Sequence, residues 1–255
     1  MPTMQDSHDD REIALDRVGI TDLIHPVTIP TRDGGSQATQ GVVTLSVELG
    51  SVARGAHMSR FVEALGAGPL PLSPNDLEDT LRRIRGALDA SSAQIEVECT
   101  FFVEREAPVS RARSLMACPA VVEASLGDVF DLVLAAEVPV MTVCPCSKEA
   151  SGGAAHSQRG HVAVAVRYHG RLWIEDLVDV VDASGSAPVY PLLKGDDERS
   201  VIARAHEHPL FVEDLVRNVA ERLDSDVRIY WYTVEAVNLD SVHDHNVFAM
   251  TERSH

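Results

Sequence analysis

Positive charge is scarce in this chain. Its 255 residues carry 22 Lys and Arg against 39 Asp and Glu, a formal net charge of -17. A field of that sign repels polyanions, which excludes nucleic acid and anionic membrane surfaces as general partners. It also sets a condition: any polyphosphate ligand must be held by a local group of cations. Long apolar runs are missing too. The longest, Val129 to Cys144, is interrupted by Asp131 and Glu137 and is too short and too charged to span a bilayer. The start, Met1 to Arg11, is polar and has no apolar leader core, so the expected compartment is the cytoplasm. Cysteines number four. In a reducing compartment they read as thiols or metal ligands before disulfides, and Cys144 and Cys146 stand too close to form an easy mutual bridge. What remains is an ordinary globular balance, 45% hydrophobic and 24% charged, enough for one large domain or two smaller ones.

Residues 1 to about 40 are polar and read as an arm or an exposed crossing segment. Regular patterning follows. Val43, Leu45, Val47 and Leu49 alternate with polar residues and predict a half-buried strand. Ser59 to Leu65 reads as a helix. Ser73 caps a second, with Pro74 in its first turn and Leu77, Leu81, Ile84 and Leu88 as its apolar stripe. Ile95, Val97, Cys99, Phe101 and Val103 share one face of the next strand, and Leu115 to Glu123 forms another. Strands are then expected over 133–143 and at Val162, Val164 and Val166, helices over 198–207 and 211–223, and closing strands over 228–237 and 246–250. Strands, a helix pair and strands thus occur approximately twice. Antiparallel sheets with helices on one face give an α+β class, and oligomerisation is the simplest cover for the other face.

Chemistry concentrates in one stretch. Cys144-Pro145-Cys146-Ser147-Lys148-Glu149 is followed by His156-Ser157-Gln158-Arg159-Gly160-His161, placing two thiols and two imidazoles within eighteen residues. Thiolate and neutral imidazole are ligands that borderline-soft divalent metals prefer. A tight turn with two idle thiols is the bland alternative. Cys99 and Cys118 read as small buried hydrophobes. His243-Asp244-His245 stands out among the remaining histidines, with Asp244 placed to orient an imidazole, or else as a polar turn. Glu198 and Glu213 each sit in a helical first turn, where the macrodipole favours a carboxylate whatever its function. His57-Met58-Ser59-Arg60 joins a strand to a helix and reads either as a capping segment or as an anion contact through Arg60.

Taken together, Gly55-Ala56-His57-Met58-Ser59-Arg60-Phe61, the two segments above, Leu192-Leu193-Lys194, Phe211-Val212-Glu213-Asp214 and Ser241-Val242-His243-Asp244-His245 resemble the GTP cyclohydrolase IB family, from about residue 15 to the C-terminus. The resemblance implies two tandem tunnelling-fold modules, residues 41–126 and 127–255 after an arm over 1–40, assembled as a homotetramer. It implies conversion of GTP and water to 7,8-dihydroneopterin triphosphate and formate, the entry to tetrahydrofolate synthesis, with zinc or manganese, or possible iron, as the divalent ion. Carried onto this sequence, the ligands fall on Cys144, His156, Glu198 and His243, with Cys146 left open as a substitute for Cys144. Glu213 falls on the guanine anchor, since a carboxylate can accept from N1–H and the 2-amino group together. Cys144, His161 and His245 are the catalytic candidates, the two histidines as proton donors. Arg60, Lys148, Arg159 and Lys194, with His57, are the candidates for substrate binding. The sequence departs from the family at Gly153-Ala154-Ala155, where tyrosine-glycine-alanine is usual, and at Gly195-Asp196, where arginine and proline often stand. Two other readings remain: an archaeal-type enzyme that ends in a cyclic phosphate, and a metal-binding protein without catalysis.

Overall fold

The computed structural model describes residue 5 and residues 7–255. The chain divides into two compact units, one of residues 1–100 and 121–133, the other of 101–120 and 134–255. Both are α+β, built on mostly antiparallel strands with few helices.

In the first unit, β1 (Leu15–Pro30) and β2 (Ser36–Leu49) form a long antiparallel pair, from Leu15 opposite Leu49 to Pro30 opposite Ser36. Helix α1 (Met58–Leu65), the short strand β3 (Leu70–Pro71) and α2 (Pro74–Leu88) follow, then β4 (Ala93–Glu106), which pairs with β2. Ser73 caps α2 by accepting from the Asp76 amide at 3.3 Å, and Leu77, Leu81 and Ile84 are completely buried. Full burial of each such side chain contributes about 1.5–3 kcal/mol.

β1 corrects the expected N-terminal arm. Its outer half is exposed, so Val27 and Ile29 are its only fully buried side chains and period-2 alternation is faint. Backbone pairing rather than burial holds it. At Gly19 the strands come so close that a Cβ would lie 1.8 Å from the Leu45 carbonyl oxygen, a position only glycine can fill.

The second unit contains most of β6 (Phe130–Val143), then α3 (Pro145–Ala150), β7 (Ser157–Tyr168), α4 (Ile174–Asp182), β8 (Ala187–Pro188), α5 (Gly195–Glu207), α6 (Val212–Asp224), β9 (Ile229–Leu239) and β10 (Val247–Ser254). Its strands run in the order β10-β9-β7-β6, all antiparallel, with β8 on β6. Val162, Val164, Val166, Val234 and Ala236 make a buried face, and α6 lays Val212, Leu215, Val216, Val219 and Leu223 into the core beside β9 and β10. Across the opposite face, Glu137, Ala163 and Glu235 form an exposed row on three neighbouring strands. Helix α4 lies outside the expected elements, although Ile174, Leu177, Val178 and Val181 carry a helical i, i+3, i+4, i+7 spacing and are all buried. It is short, nine residues, and the turn residues around it, Gly170 before and Ser184-Gly185-Ser186 with Pro188 after, mark its ends but not its type.

The tip of the hairpin from β4 to β5 (Arg113–Leu126) belongs to this second unit. Two anchors hold it there. The Arg105 guanidinium forms a two-pronged pair with the Asp182 carboxylate at the end of α4, one contact at 2.9 Å. Asp197, in the first turn of α5, accepts from the Val109 amide at 2.8 Å, the Ser110 amide at 2.7 Å and the Ser110 hydroxyl at 2.6 Å.

No helix among the described residues is long and apolar enough to cross a membrane.

Candidate active site

β6 delivers Cys144 at the moment its pairing ends. Val143 is the last strand residue, and Cys144 begins α3 with Pro145 behind it in the first turn. The chain returns as β7, and the Cys144 amide meets the His156 carbonyl at 3.3 Å. Ser147 reinforces this crossing: its hydroxyl donates to the Cys144 carbonyl at 3.0 Å and accepts from the His156 amide at 3.2 Å. Cys144 and His156 are both partly buried, whereas Cys146 is exposed on α3, and this favours Cys144 as the thiol of the corner. Burial pushes Cys99 and Cys118 up to about 11, so they stay protonated and are packing residues.

Helix α5 docks beside the corner. Its Val201 and Ala205 pack with Val143 and Ala187, and Ala155 covers the same cluster. Lys148 donates to the His206 carbonyl at the end of α5, so its ammonium is committed to joining α3 to that helix. The His206 ring lies between two carbonyls, with Nδ1 3.0 Å from the Ile202 oxygen and Nε2 3.3 Å from the Ala155 oxygen, so whichever nitrogen carries the proton has an acceptor. Glu198 is exposed near the start of α5, directly after the buried Asp197. Lys194 stands just before the helix, its amide donating to Asp197 at 2.9 Å.

The third strand end is the loop from β9 to β10. The His156 Nδ1 lies 2.9 Å from the Ser241 hydroxyl, so this loop reaches the Cys144 corner. Asp240 shapes the loop, accepting from the Val242 and His243 amides at 2.7 Å each and approaching the His243 Nδ1 at 3.2 Å. These bonds hold its carboxyl down at about 2. Asp240 is therefore the carboxylate that orients His243, while Asp244, expected to orient an imidazole, approaches His245. Asp244 is fully exposed and touches only the neighbouring His245 Nδ1, at 3.4 Å. His161 lies further along β7, with its Nδ1 3.1 Å from Glu137 on β6. Among the described residues, no three His, Cys, Asp or Glu side chains come close enough within one chain to hold a metal ion. Taken by residue type alone, the candidate ligands suit a divalent cation: a thiol, a carboxylate and two imidazoles whose Nδ1 atoms are occupied and whose Nε2 atoms make no hydrogen bond among the described residues.

The remaining candidates lie around this corner or apart from it. Arg159 and Ser157 border a cavity of about 270 Å³ with Tyr190, Leu193 and Val201. Glu213 is exposed in the first turn of α6 and lines a cleft of about 600 Å³, whose other wall includes Met250, Thr251 and Arg253 of β10. His57 and Arg60 belong to the first unit. His57 precedes α1 without a side-chain cap bond, and Arg60 donates to the Ala87 carbonyl at 3.3 Å. Sequence reasoning missed Glu137 and Asp240, and it quoted Ser241 within the His243 motif without giving it a role. Asp240 could have been flagged only as the residue just before that motif.

A sequence profile described as type I GTP cyclohydrolase FolE2 matches residues 1–249, a span that contains every candidate residue above. The chain belongs to that family. It is similar to the GTP cyclohydrolase FolE2 of Geobacter metallireducens, 43% identical over 253 residues that cover 99% of this chain and 97% of the relative. The same protein of Nitrosococcus oceani is 42% identical over 251 residues, covering 98% and 94%. Among solved structures, the family member resembles the urate oxidase of Bacillus sp. TB-90, with a TM-score of 0.56, 9% identity, and coverage of 94% of this chain and 100% of that one. Uricase from Arthrobacter globiformis gives a TM-score of 0.51 at 11% identity, with coverage of 94% and 93%. At such low identity, these likenesses concern the fold alone.

Proposed function

We propose that the chain hydrolyses GTP to 7,8-dihydroneopterin triphosphate and formate, the first step of tetrahydrofolate biosynthesis, as a cytoplasmic type IB enzyme. The family match over residues 1–249 carries this reading. We place the fold in the tunnelling class, as two tandem modules that assemble into a homotetramer. The exposed row of Glu137, Ala163 and Glu235 lies on the sheet face that such an assembly would enclose.

In this reading Glu213 selects the base. Its carboxylate accepts in parallel from N1–H and the 2-amino group of guanine, a pair that adenine lacks. Cys144, His156, Glu198 and His243 hold a divalent ion, zinc or manganese with iron as a third option, which when bound supplies Lewis acidity toward water at C8. His161 donates the proton that the imidazole ring needs as it opens. Glu137 occupies its Nδ1, which leaves Nε2 for transfer. His245 is the second proton-transfer candidate, its Nδ1 3.4 Å from exposed Asp244 and its ring 5.3 Å from that of His243. One water opens the imidazole ring and a second releases formate; after a sugar rearrangement the freed amine condenses with a sugar carbonyl, expelling one water and closing the pterin ring. Arg159 and Lys194 take the triphosphate against the -17 background. Lys148 serves that role only by leaving His206, and Arg60 and His57 enter this reading through the family motif alone.

The test is to incubate the purified protein with GTP and manganese or zinc, then measure formate and, after oxidation, a fluorescent pterin. Glu213→Ala is expected to keep its ion and lose turnover. Equal turnover in that variant would overturn the assignment of the base pocket, and a cyclic phosphate product would overturn the type IB reading.

A further inference from the structure

Two adjacent residues at the end of β9 touch two imidazoles that lie far apart in sequence. Ser241 meets the His156 Nδ1 across 85 residues, at 2.9 Å, while Asp240 meets the His243 Nδ1 at 3.2 Å. The proton positions follow from donor counting. A serine hydroxyl has one hydrogen, and the Ser157 carbonyl, 3.4 Å from the Ser241 hydroxyl, can only accept, so a single arrangement satisfies both contacts of Ser241: its hydrogen toward Ser157. The hydroxyl oxygen is then the acceptor toward His156, so the imidazole proton sits on Nδ1. For His243 the count is simpler. An ionised carboxylate has no proton to give, so the Nδ1 facing Asp240 must carry one. In both rings the lone pair is left on Nε2, the nitrogen that a cation would take.

We infer that Asp240 and Ser241 are positioning residues that fix His243 and His156 in the Nδ1–H tautomer and so leave both Nε2 lone pairs free for a cation. This inference rests on the metal site of the proposed function. The arrangement has a physical use. A neutral imidazole divides its population between two tautomers and many ring angles, and a partner on Nδ1 removes both losses before the ion arrives. Because the two partners are consecutive in the chain, a single loop conformation sets both rings at once. Asp240 also holds the loop through the Val242 and His243 amides, so its removal would disturb the backbone. Ser241 is exposed and carries no such duty, which makes it the cleaner position to test.

The experiment compares full-length wild type with Ser241→Ala, Ser241→Thr and Cys144→Ser. Cobalt(II) is titrated into metal-free protein, with the thiolate-to-cobalt absorption and competition against a chelator as readouts. Nitrogen-15 NMR of the metal-free chains reads the tautomer of His156, assigned with His156→Gln. Ser241→Ala is expected to weaken cobalt binding by about 10- to 100-fold, the usual loss on removing such a partner. Its His156 should also shift toward the Nε2–H form, and Ser241→Thr should restore both readouts. Unchanged affinity and tautomer in Ser241→Ala, with Cys144→Ser losing the absorption, would overturn the inference and leave the metal site standing. An absorption and affinity unaltered in Cys144→Ser would overturn the metal site itself, and the inference with it.

Discussion

Two carboxylates of the second unit, the largely buried Asp182 and the fully buried Asp197, do similar jobs by opposite means. Each fastens the tip of the β4–β5 hairpin to a helix. Asp182 is the last residue of α4, the end at which the macrodipole disfavours an anion, and it faces a single buried guanidinium, Arg105. Burial pushes its carboxyl up, against the pull of Arg105. Asp197 stands in the first turn of α5, where the dipole favours an anion, and it gathers the Ser110 hydroxyl and three backbone amides. Those donors hold its carboxyl well below the usual carboxylate range, the Ser110 hydroxyl most of all. Neutral donors aimed at a carboxylate settle it better than one desolvated cation, because the guanidinium must itself be taken out of water.

The sharpest way to break the comparison is to remove one charge of the buried pair. Asp182→Ala leaves Arg105 buried and unmatched, with an expected loss of about 3–5 kcal/mol in urea unfolding. Replacing both residues by apolar ones of similar size should recover most of that loss, which would mark the cost as the orphaned charge rather than a lost attraction. At the other anchor, Asp197→Ala should release the 109–110 turn and loosen the start of α5. Because Glu198 and Lys194 flank it, kcat/KM for GTP is expected to fall by about 10- to 100-fold. Ser110→Ala, which removes one donor, should fall by less. Equal activity in Asp197→Ala would show that this anchor serves folding only.

A pH series sharpens the contrast. A carboxyl whose folded value is raised contributes stability that is fully present below its unfolded value, 3.8, and is lost as pH rises through the folded value. The margin of wild type over Asp182→Asn, read from urea midpoints, should therefore be widest near pH 3.8 and shrink as pH rises. Asp197, ionised in both states above that range, should add no slope there. The smallest effect concerns the thiols. With Cys99 and Cys118 pushed up to about 11, alkylation at mildly basic pH should label exposed Cys146 first and those two last, as mass mapping would show.

The parts of the fold legible in the sequence were those in which one physical signal dominates. β2, α2, β4 and α6 each bury a regular stripe, and the stripe locates the element. β1 was missed because pairing along β2, rather than burial, fixes most of its length, and α4 because nine residues give a periodic pattern little room. The thiols and imidazoles of the candidate site could be named from residue type, and family likeness picked out Glu198 and Glu213 among many acids. Ser241, Asp240, Glu137 and Asp197 were silent for a different reason. Apart from Asp240, each acts through a partner 24 to 88 residues away, and hydrogen bonds of that kind leave no local pattern. Asp240 is close to its partner, but nothing in its spacing distinguishes it from Asp244.

The short connection between β4 and β5, with exposed Pro108, Val109, Ser110 and Arg111, has the outward look of a spare loop ready to take a purification tag or fluorescent insert. Two of its amides are already spoken for by the carboxylate next to Glu198. An insert there would pull on the first turn of α5, so a reporter placed at this tip would respond to the state of that helix start instead of riding passively on the surface.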